Sequence, residues 1–137
     1  MILASHLAAP VRAGLAATLA LASAMPAGAA TAYACVFPSE CILGKPCETG
    51  RDLAARLDSD GGGWSFGAAG MDPVRFQEIA PGGVGSLHLV SSGIDPDADA
   101  AALLTITEDG TALLTVQGDF PSPSAVTHVG SCTEEEV

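Results

Sequence analysis

The chain has 137 residues, with five basic side chains against sixteen acidic ones and a formal net charge of −11 at pH 7. This balance argues against binding to nucleic acid or to an anionic membrane surface, because both depend on basic side chains that neutralise phosphate. It allows cationic partners such as a basic protein or a metal ion, and it also fits an acidic surface that only keeps a small protein soluble.

The first segment, residues 1–32, has the pattern of a secretory signal peptide. Arg12 is its only charged side chain, and residues 13–25 form an apolar run too short to span a bilayer. Pro26 and Gly28 follow, with A-x-A frames at 27–29, 30–32 and 32–34. We predict that residues 1–32 are removed, and that the protein is bacterial and periplasmic or secreted.

The predicted mature part, residues 33–137, is long enough for a single domain with a thin core. It keeps four basic residues against sixteen acidic ones, a formal charge of −12. No later apolar stretch is long enough for a transmembrane helix. Cleavage directly before Cys35 would expose a cysteine for lipidation, although the preceding AYA lacks the usual aliphatic residue.

The four cysteines predict disulfide bonds. Cys35, Cys41 and Cys47 are spaced as C-x5-C-x5-C, and Cys132 lies near the end of the chain. Structural zinc sites and redox sites normally use closer pairs such as C-x2-C, and an even count in an exported domain favours disulfides. We favour Cys35–Cys132 with Cys41–Cys47, because the first bond joins the terminal strands. Cys35–Cys47 with Cys41–Cys132 remains open.

Most of the mature chain is predicted to form short β-strands. In the region of residues 101–118, the runs LLTIT and ALLTV flank EDGT, and Asp109-Gly110 supplies the positive φ angles of a tight hairpin turn. Leu104, Ile106, Leu114 and Val116 are expected to face the core. Further strand-like runs are YACVF, WSFGA, PVRFQEIA, VGSLHLVSS and AVTHVGSC. We predict a mainly β fold, a small antiparallel meander that is barrel-like or a curled sheet, with at most one short helix.

The helix candidate is residues 47–63. Thr49 is a suitable N-cap, Leu53 and Leu57 are one helical turn apart, and the glycines after Asp60 would end a helix. The same segment is also compatible with an extended strand that continues the first one. The terminal TEEEV is expected to be a frayed acidic tail.

No catalytic constellation stands out. His88 and His128 lie in separate strand-like runs and would share a face only if those strands were neighbours. Residues 63–67, GWSFG, match the letters of G-x-S-x-G, but they lie in a strand-like run without the strand-to-helix turn of a nucleophile elbow, and nothing marks Ser65 as special. The glycine-rich DGGGWSFGAAG lacks the Lys-Ser/Thr ending of a phosphate loop. We therefore expect no enzyme activity and no cofactor.

A weak divalent-metal site is considered at Asp95, Asp97 and Asp99, which match the first three ligand positions of a calcium loop. The match fails at Ala100, where glycine is needed, and at Ile106, where glutamate is needed. Asp58 and Asp60 form a weaker pair of the same kind. A solvated loop is the competing interpretation.

The signal peptide, YACVFPSEC…C, the LLTITEDGTALLTV hairpin and the final GSC resemble small uncharacterised exported proteins of alphaproteobacteria. That resemblance covers most of the mature chain and implies no activity. YAC and Cys132 are also similar to periplasmic lysozyme inhibitors of the MliC type, small β-barrels whose YxC strand is tied to a C-terminal cysteine. The inhibitor's Ser-Gly loop is only echoed by SSG at residues 91–93.

Three functions follow as hypotheses. The first is an exported, non-catalytic β-domain that binds a partner or is associated with the envelope. The second is an inhibitor of a basic enzyme such as lysozyme, which the size, acidity and predicted disulfides favour. The third is a weak metal-binding protein that uses the three aspartates.

Overall fold

Eight antiparallel strands form a closed barrel in a computed structural model that describes residues 30–79, 85–91, 100–119 and 123–136. Each strand pairs with the next one in sequence, and the first pairs with the last. This confirms the prediction of a mainly β, barrel-like meander, and no helix occurs in the described ranges. The strands are β1 (Thr31–Ile42), β2 (Glu48–Ser59), β3 (Trp64–Ala68), β4 (Val74–Glu78), β5 (Leu87–Ser91), β6 (Ala100–Ile106), β7 (Thr111–Asp119) and β8 (Pro123–Glu136).

The barrel interior is filled by alternate residues of the strands. Leu104, Ile106 and Leu114 are buried as predicted, and Val116 packs against the core. Phe37, Phe66 and Phe76 stack across the interior, with ring centroids 6.5 Å and 6.0 Å apart in successive pairs. Every second side chain of a strand points to the same face, so this alternation is expected of strands with one buried face.

The helix candidate is wrong, because its residues form β2. Leu57 is buried, Leu53 and Ala55 are half-buried, and the residues between them are exposed. A spacing of four between Leu53 and Leu57 satisfies both a helical face and a strand face. Pairing with β1 on one side and β3 on the other settles the choice in favour of the strand.

The hairpin between β6 and β7 forms where predicted, but with a different turn. Only Gly110 has a positive φ, +82°, and Asp109 does not. The amide of Gly110 donates to Thr107 O at 2.9 Å, and Thr107 N donates to Thr111 O at 2.9 Å. This is a type I turn followed by a left-handed glycine, the usual three-residue hairpin.

The predicted frayed tail is also wrong over the described residues. Residues 133–136 belong to β8, and Thr31 pairs with Glu136 in the β1–β8 ladder. The three glutamates alternate faces of a strand, so the ladder accommodates their charge without burying all of it. The C-terminal segment is therefore part of the barrel wall.

The register of β1 shifts between Val36 and Ser39, at a bulge that contains Pro38. Proline has no N–H to donate to the ladder, and a bulge is one of the places where a sheet tolerates it. The bulged backbone lies against Gly130 of β8, where a Cβ atom would be 2.6 Å from Phe37 Cα and closer still to Val36 O. Only glycine fits there without displacing β1.

Two disulfides are present. Cys35 bonds to Cys132 across the β1–β8 seam, and the two residues lie directly opposite each other in the ladder. Cys41 bonds to Cys47 and closes the loop from β1 to β2. The bonds correspond to the favoured pairing rather than the alternative, and they indicate a non-reducing compartment.

The first described residues enter the barrel directly. Thr31 N donates to Ser59 Oγ at 2.8 Å, and Ala32 is only 1% exposed. The rest of the predicted signal peptide, residues 1–29, lies outside the described residues. In the described ranges, no helix is long and apolar enough to cross a membrane.

Candidate functional site

An up-and-down barrel has two ends, and one of them brings eight acidic residues together. At this end lie the loop at 60–63, the end of β4, the start of β5, the turn at 107–110 and the last residues of β8. The same end carries Asp58, Asp60, Glu78, Glu108, Asp109, Glu134, Glu135 and Glu136.

The basic side chains near this end are already paired. Arg56 Nε lies 2.8 Å from Asp58 Oδ1, and Arg56 Nη1 bonds Glu135. The hydrogen bond to Asp58, together with the charges of both acids, raises the pKa of Arg56. Arg75 pairs with Asp60. Asp58 and Asp60, the weaker metal candidates of the sequence, are thus each engaged in an ion pair.

Four glutamates at this end have no basic neighbour within ion-pair distance in the part of the chain that the structure describes. They are Glu78, Glu108, Glu134 and Glu136, and all four are exposed. Glu78 lies opposite Leu89 and Glu134 opposite Tyr33, and both partners face the interior. Both carboxylates therefore lie on the inner face of the barrel wall, at its rim.

A hollow of about 370 Å³ opens between Glu108 and Glu134. We call it the acidic mouth. Tyr33 and Glu134 form one side, Glu108 and Gly110 form the other, and Leu87 and Ile106 supply apolar surface. The hollow therefore combines carboxylates, an aromatic ring and apolar walls within one opening.

Tyr33 is the aromatic group of the acidic mouth. Its ring centroid lies 5.9 Å from that of Trp64, which lines a neighbouring hollow of about 740 Å³ with Asp60, Gln77 and Glu78. Burial, and secondarily the charge of Glu134, raise the pKa of Tyr33 above its ordinary value. The phenol therefore stays neutral beside the glutamate, and such a group can donate a hydrogen bond or offer its ring face to a cation.

The turn that carries Glu108 is held rigidly. Asp109 Oδ1 accepts hydrogen bonds from Thr107 Oγ1 and, at 3.0 Å, from Thr111 N. These bonds, with that from Thr107 the largest cause, hold the pKa of Asp109 below its usual range. Gly110 O in turn accepts from Cys132 N at 2.8 Å, so the turn is fixed to β8 beside the disulfide.

The two histidines do not form a site together. His88 is on β5 and His128 on β8, and these strands are not neighbours. His88 is exposed, with Nδ1 3.2 Å from Thr105 Oγ1. His128 packs edge-on against Phe37 inside the barrel, and its Nδ1 is 3.9 Å from Glu40 Oε2, too far for a hydrogen bond.

The metal candidates Asp95, Asp97 and Asp99 lie outside the described residues. Within the described ranges, no three His, Cys, Asp or Glu side chains come together as metal ligands. All four predicted disulfide residues, Cys35, Cys132, Cys41 and Cys47, are bonded.

Sequence analysis did not single out Glu78, Glu108, Glu134 or the ring of Tyr33 as a site. The signal that could have found them is topological. In a meander of eight strands the chain alternates between two ends, so LDSDGGG, TEDG and TEEE fall at the same end once β2 is taken as a strand. Taking residues 47–63 as a helix removes one strand from the sequence of eight, and the loops can then no longer be assigned to the correct ends.

Comparison of the chain with protein families, with curated proteins and with solved structures found no match.

Proposed function

We propose that this chain is an exported, non-catalytic binding domain whose acidic mouth binds a basic segment of another protein. The observation that carries the proposal is the pair of carboxylates, Glu108 and Glu134, in one hollow at a barrel end where the local arginines are already paired with other acids. Lysine and arginine side chains complement such a site, since their heads pair with carboxylates and their stems cover apolar surface.

The whole-molecule charge supports the same partner. A formal charge of −11 attracts a cationic protein over a Debye length of about 8 Å in physiological salt and raises its association rate. Each exposed ion pair contributes little, about 0.2–1 kcal/mol. We therefore expect binding to depend on several pairs together and to weaken strongly as salt is added.

A binding role rather than catalysis fits the chemistry of the acidic mouth. Its hydroxyls are those of Tyr33, Ser86 and Thr107. The Thr107 hydroxyl is already bonded to Asp109 and Thr111 O, and neither described histidine lines the mouth to act as a base. A nucleophile without a neighbouring base is weak.

Export is supported by the two disulfides and by the signal pattern. Cutting after Ala32 or Ala34 would remove the buried Ala32 from β1, whereas cutting after Ala29 leaves the strand intact. We therefore propose Ala30 as the first residue of the mature chain, in place of Tyr33 or Cys35. Intact-mass measurement of the exported protein tests this start point, and a mass that starts at Tyr33 or Cys35 contradicts it.

The binding test uses lysozyme as a defined basic probe and isothermal titration calorimetry. Replacing both Glu108 and Glu134 by Gln removes two carboxylates of the acidic mouth, and we expect affinity to fall about tenfold. The matched control replaces Asp52 and Asp72 by Asn, which removes the same charge away from the mouth. Equal loss in both variants would show that only net charge matters and would overturn the proposed site.

A second candidate, inhibition of lysozyme or a similar basic enzyme, is favoured by the same acidic mouth. The assay follows cell-wall lysis by lysozyme in the presence of excess protein. Inhibition that is weaker for the Glu108→Gln and Glu134→Gln double variant supports this candidate. Undiminished lysis excludes inhibition of lysozyme and leaves the broader binding proposal to the calorimetry.

A further inference from the structure

The outer wall formed by β5, β6, β7 and β8 carries no charged side chain over most of its length. Its outward-facing positions are every second residue of 88–90, 101–105, 111–117 and 125–133, counted from the first residue of each range. They hold aliphatic residues, threonine, serine, glutamine and one histidine. A stretch of this size without Asp, Glu, Lys or Arg is unexpected in a protein with a net charge of −11. We call this surface the uncharged wall.

Aliphatic side chains form a continuous band across the uncharged wall. Val90 lies opposite Leu103, and Leu113 lies opposite Val129, while Leu103 and Leu113 are diagonal neighbours across the β6–β7 pair. Val36 extends the band onto β1. Val90, Leu103, Leu113 and Val36 are between 37% and 46% exposed, so this is accessible apolar surface and not core.

The charges lie on the remaining surface. Arg56, Asp58 and Arg75 are on β2 and β4, and the acidic mouth lies at one barrel end. Two copies of so acidic a chain repel each other wherever carboxylates face carboxylates. The uncharged wall is the described face on which two copies can approach with their charges directed away from each other.

We infer that the uncharged wall is the face on which two copies of this chain associate. A two-fold axis through the wall places Leu103 and Leu113 of one copy against the same residues of the other, as an isologous interface requires. The acidic mouths then remain open at the barrel ends. This inference does not depend on the proposed function.

The size of the wall sets the strength of the association. Four strands spaced about 4.8 Å apart and about five residues long give a face of roughly 300 Å² per copy. Stable interfaces bury about 800 Å² per partner, so the pairing is weak and reversible. A convex barrel wall limits the contact further, and the dimer forms only at high local concentration.

Sedimentation velocity of the disulfide-bonded protein, from low micromolar to millimolar concentration, tests the inference. We expect the weight-average mass to rise toward that of a dimer, and to rise further when salt screens the like charges. Binding of a basic partner at the acidic mouth has the opposite salt dependence, so failure of one proposal is distinguishable from failure of the other.

Variants locate the interface. Leu113→Glu is expected to raise the dissociation constant more than tenfold, whereas Thr49→Glu, which adds the same charge on the exposed side of β2, changes it less than twofold. The uncharged double variant Leu103→Thr and Leu113→Thr weakens association severalfold and guards against a folding defect in the first variant. A wild-type protein that stays monomeric at millimolar concentration and high salt overturns the inference. So does a Leu113→Glu variant that associates like the wild type.

Discussion

Gly130 shows how closely single residues are fitted in this barrel. It lies on β8 opposite the bulge of β1, and an added Cβ would meet Val36 O and Phe37 Cα, both backbone atoms. Backbone of a paired strand cannot move away as the end of a flexible side chain can. The glycine therefore permits the Pro38 bulge, and the bulge in turn permits closure of β1 against β8.

We predict that Gly130→Ala destabilises the fold by about 3 kcal/mol, the upper range of overpacking in a tight site. Gly67→Ala on β3 is the matched control, because nothing lies within 4 Å of its added Cβ and its φ is ordinary. The control is expected to be neutral or stabilising by about 0.5 kcal/mol. Urea unfolding of both variants checks the difference, and equal stability would show that β1 can shift.

Tyr33 and Glu134 are coupled at the rim of the acidic mouth. Burial is the larger cause of the raised pKa of Tyr33, and Glu134 is the second. A raised folded-state pKa favours the neutral phenol, so its contribution to stability is present below the ordinary value of 10.0 and is lost as pH rises through the folded value.

Replacing Glu134 by Gln is expected to lower the pKa of Tyr33 part of the way toward 10.0, since burial still acts. Tyr33 is the one tyrosine of the chain, so its ultraviolet titration reports this group alone. Glu78→Gln changes the charge of the same barrel end without touching Tyr33 and serves as the control. An unchanged pKa in Glu134→Gln would mean that the two groups are not coupled.

At the scale of elements, the two disulfides act on very different lengths of chain. Cys35 and Cys132 are separated by 97 residues and join the strands that close the barrel, whereas Cys41 and Cys47 are separated by six. The loss of unfolded-state entropy grows with the logarithm of the loop length. The first bond is therefore the stronger constraint.

Replacing Cys35 and Cys132 by Ala is predicted to cost about 4.7 kcal/mol, and replacing Cys41 and Cys47 by Ala about 2.4 kcal/mol. Denaturant unfolding under non-reducing conditions measures both. Since Cys35 and Cys132 are also buried, lost packing adds to the first value. A smaller loss for the first pair than for the second would contradict this ranking.

Most strands could be predicted from local pattern, and the exceptions have physical reasons. The hairpin of β6 and β7 alternates clearly, so both strands and their inward residues Leu104 and Leu114 follow from sequence. In β2, the spacing of Leu53 and Leu57 fits both the helical and the strand period, and only pairing with β1 and β3 decides in favour of the strand. The last residues of β8 look like a polar tail until β1 is placed beside them.

At the scale of the whole molecule, closure of the barrel creates the surface features on which the proposed function rests. The acidic mouth joins Tyr33 from β1, Leu87 from β5, Glu108 from the β6–β7 turn and Glu134 from β8. These residues are far apart in sequence, so no local motif marks them. The acidity of the chain was evident from composition, but the meeting of Glu108 and Glu134 in one hollow depends on the strand order.

The uncharged wall and the acidic mouth are two surface regions of opposite character. One wall of the barrel carries neutral side chains across four strands, while the acidic end holds glutamates without basic neighbours among the described residues. A weak dimer through the wall would present two acidic mouths to one basic partner. Two linked sites bind more tightly than either alone when the partner can reach both.

The central claim, that the acidic mouth binds basic segments, is tested most directly by following the backbone amides in a nuclear magnetic resonance titration with an arginine-rich peptide. The account predicts shifts confined to the mouth, at Tyr33, Gly85, Gly110 and Glu134, and reduced by added salt. Amides at the opposite end, such as Gly44 and Gly50, should not move. Shifts spread evenly over the barrel, or concentrated at the opposite end, would contradict it.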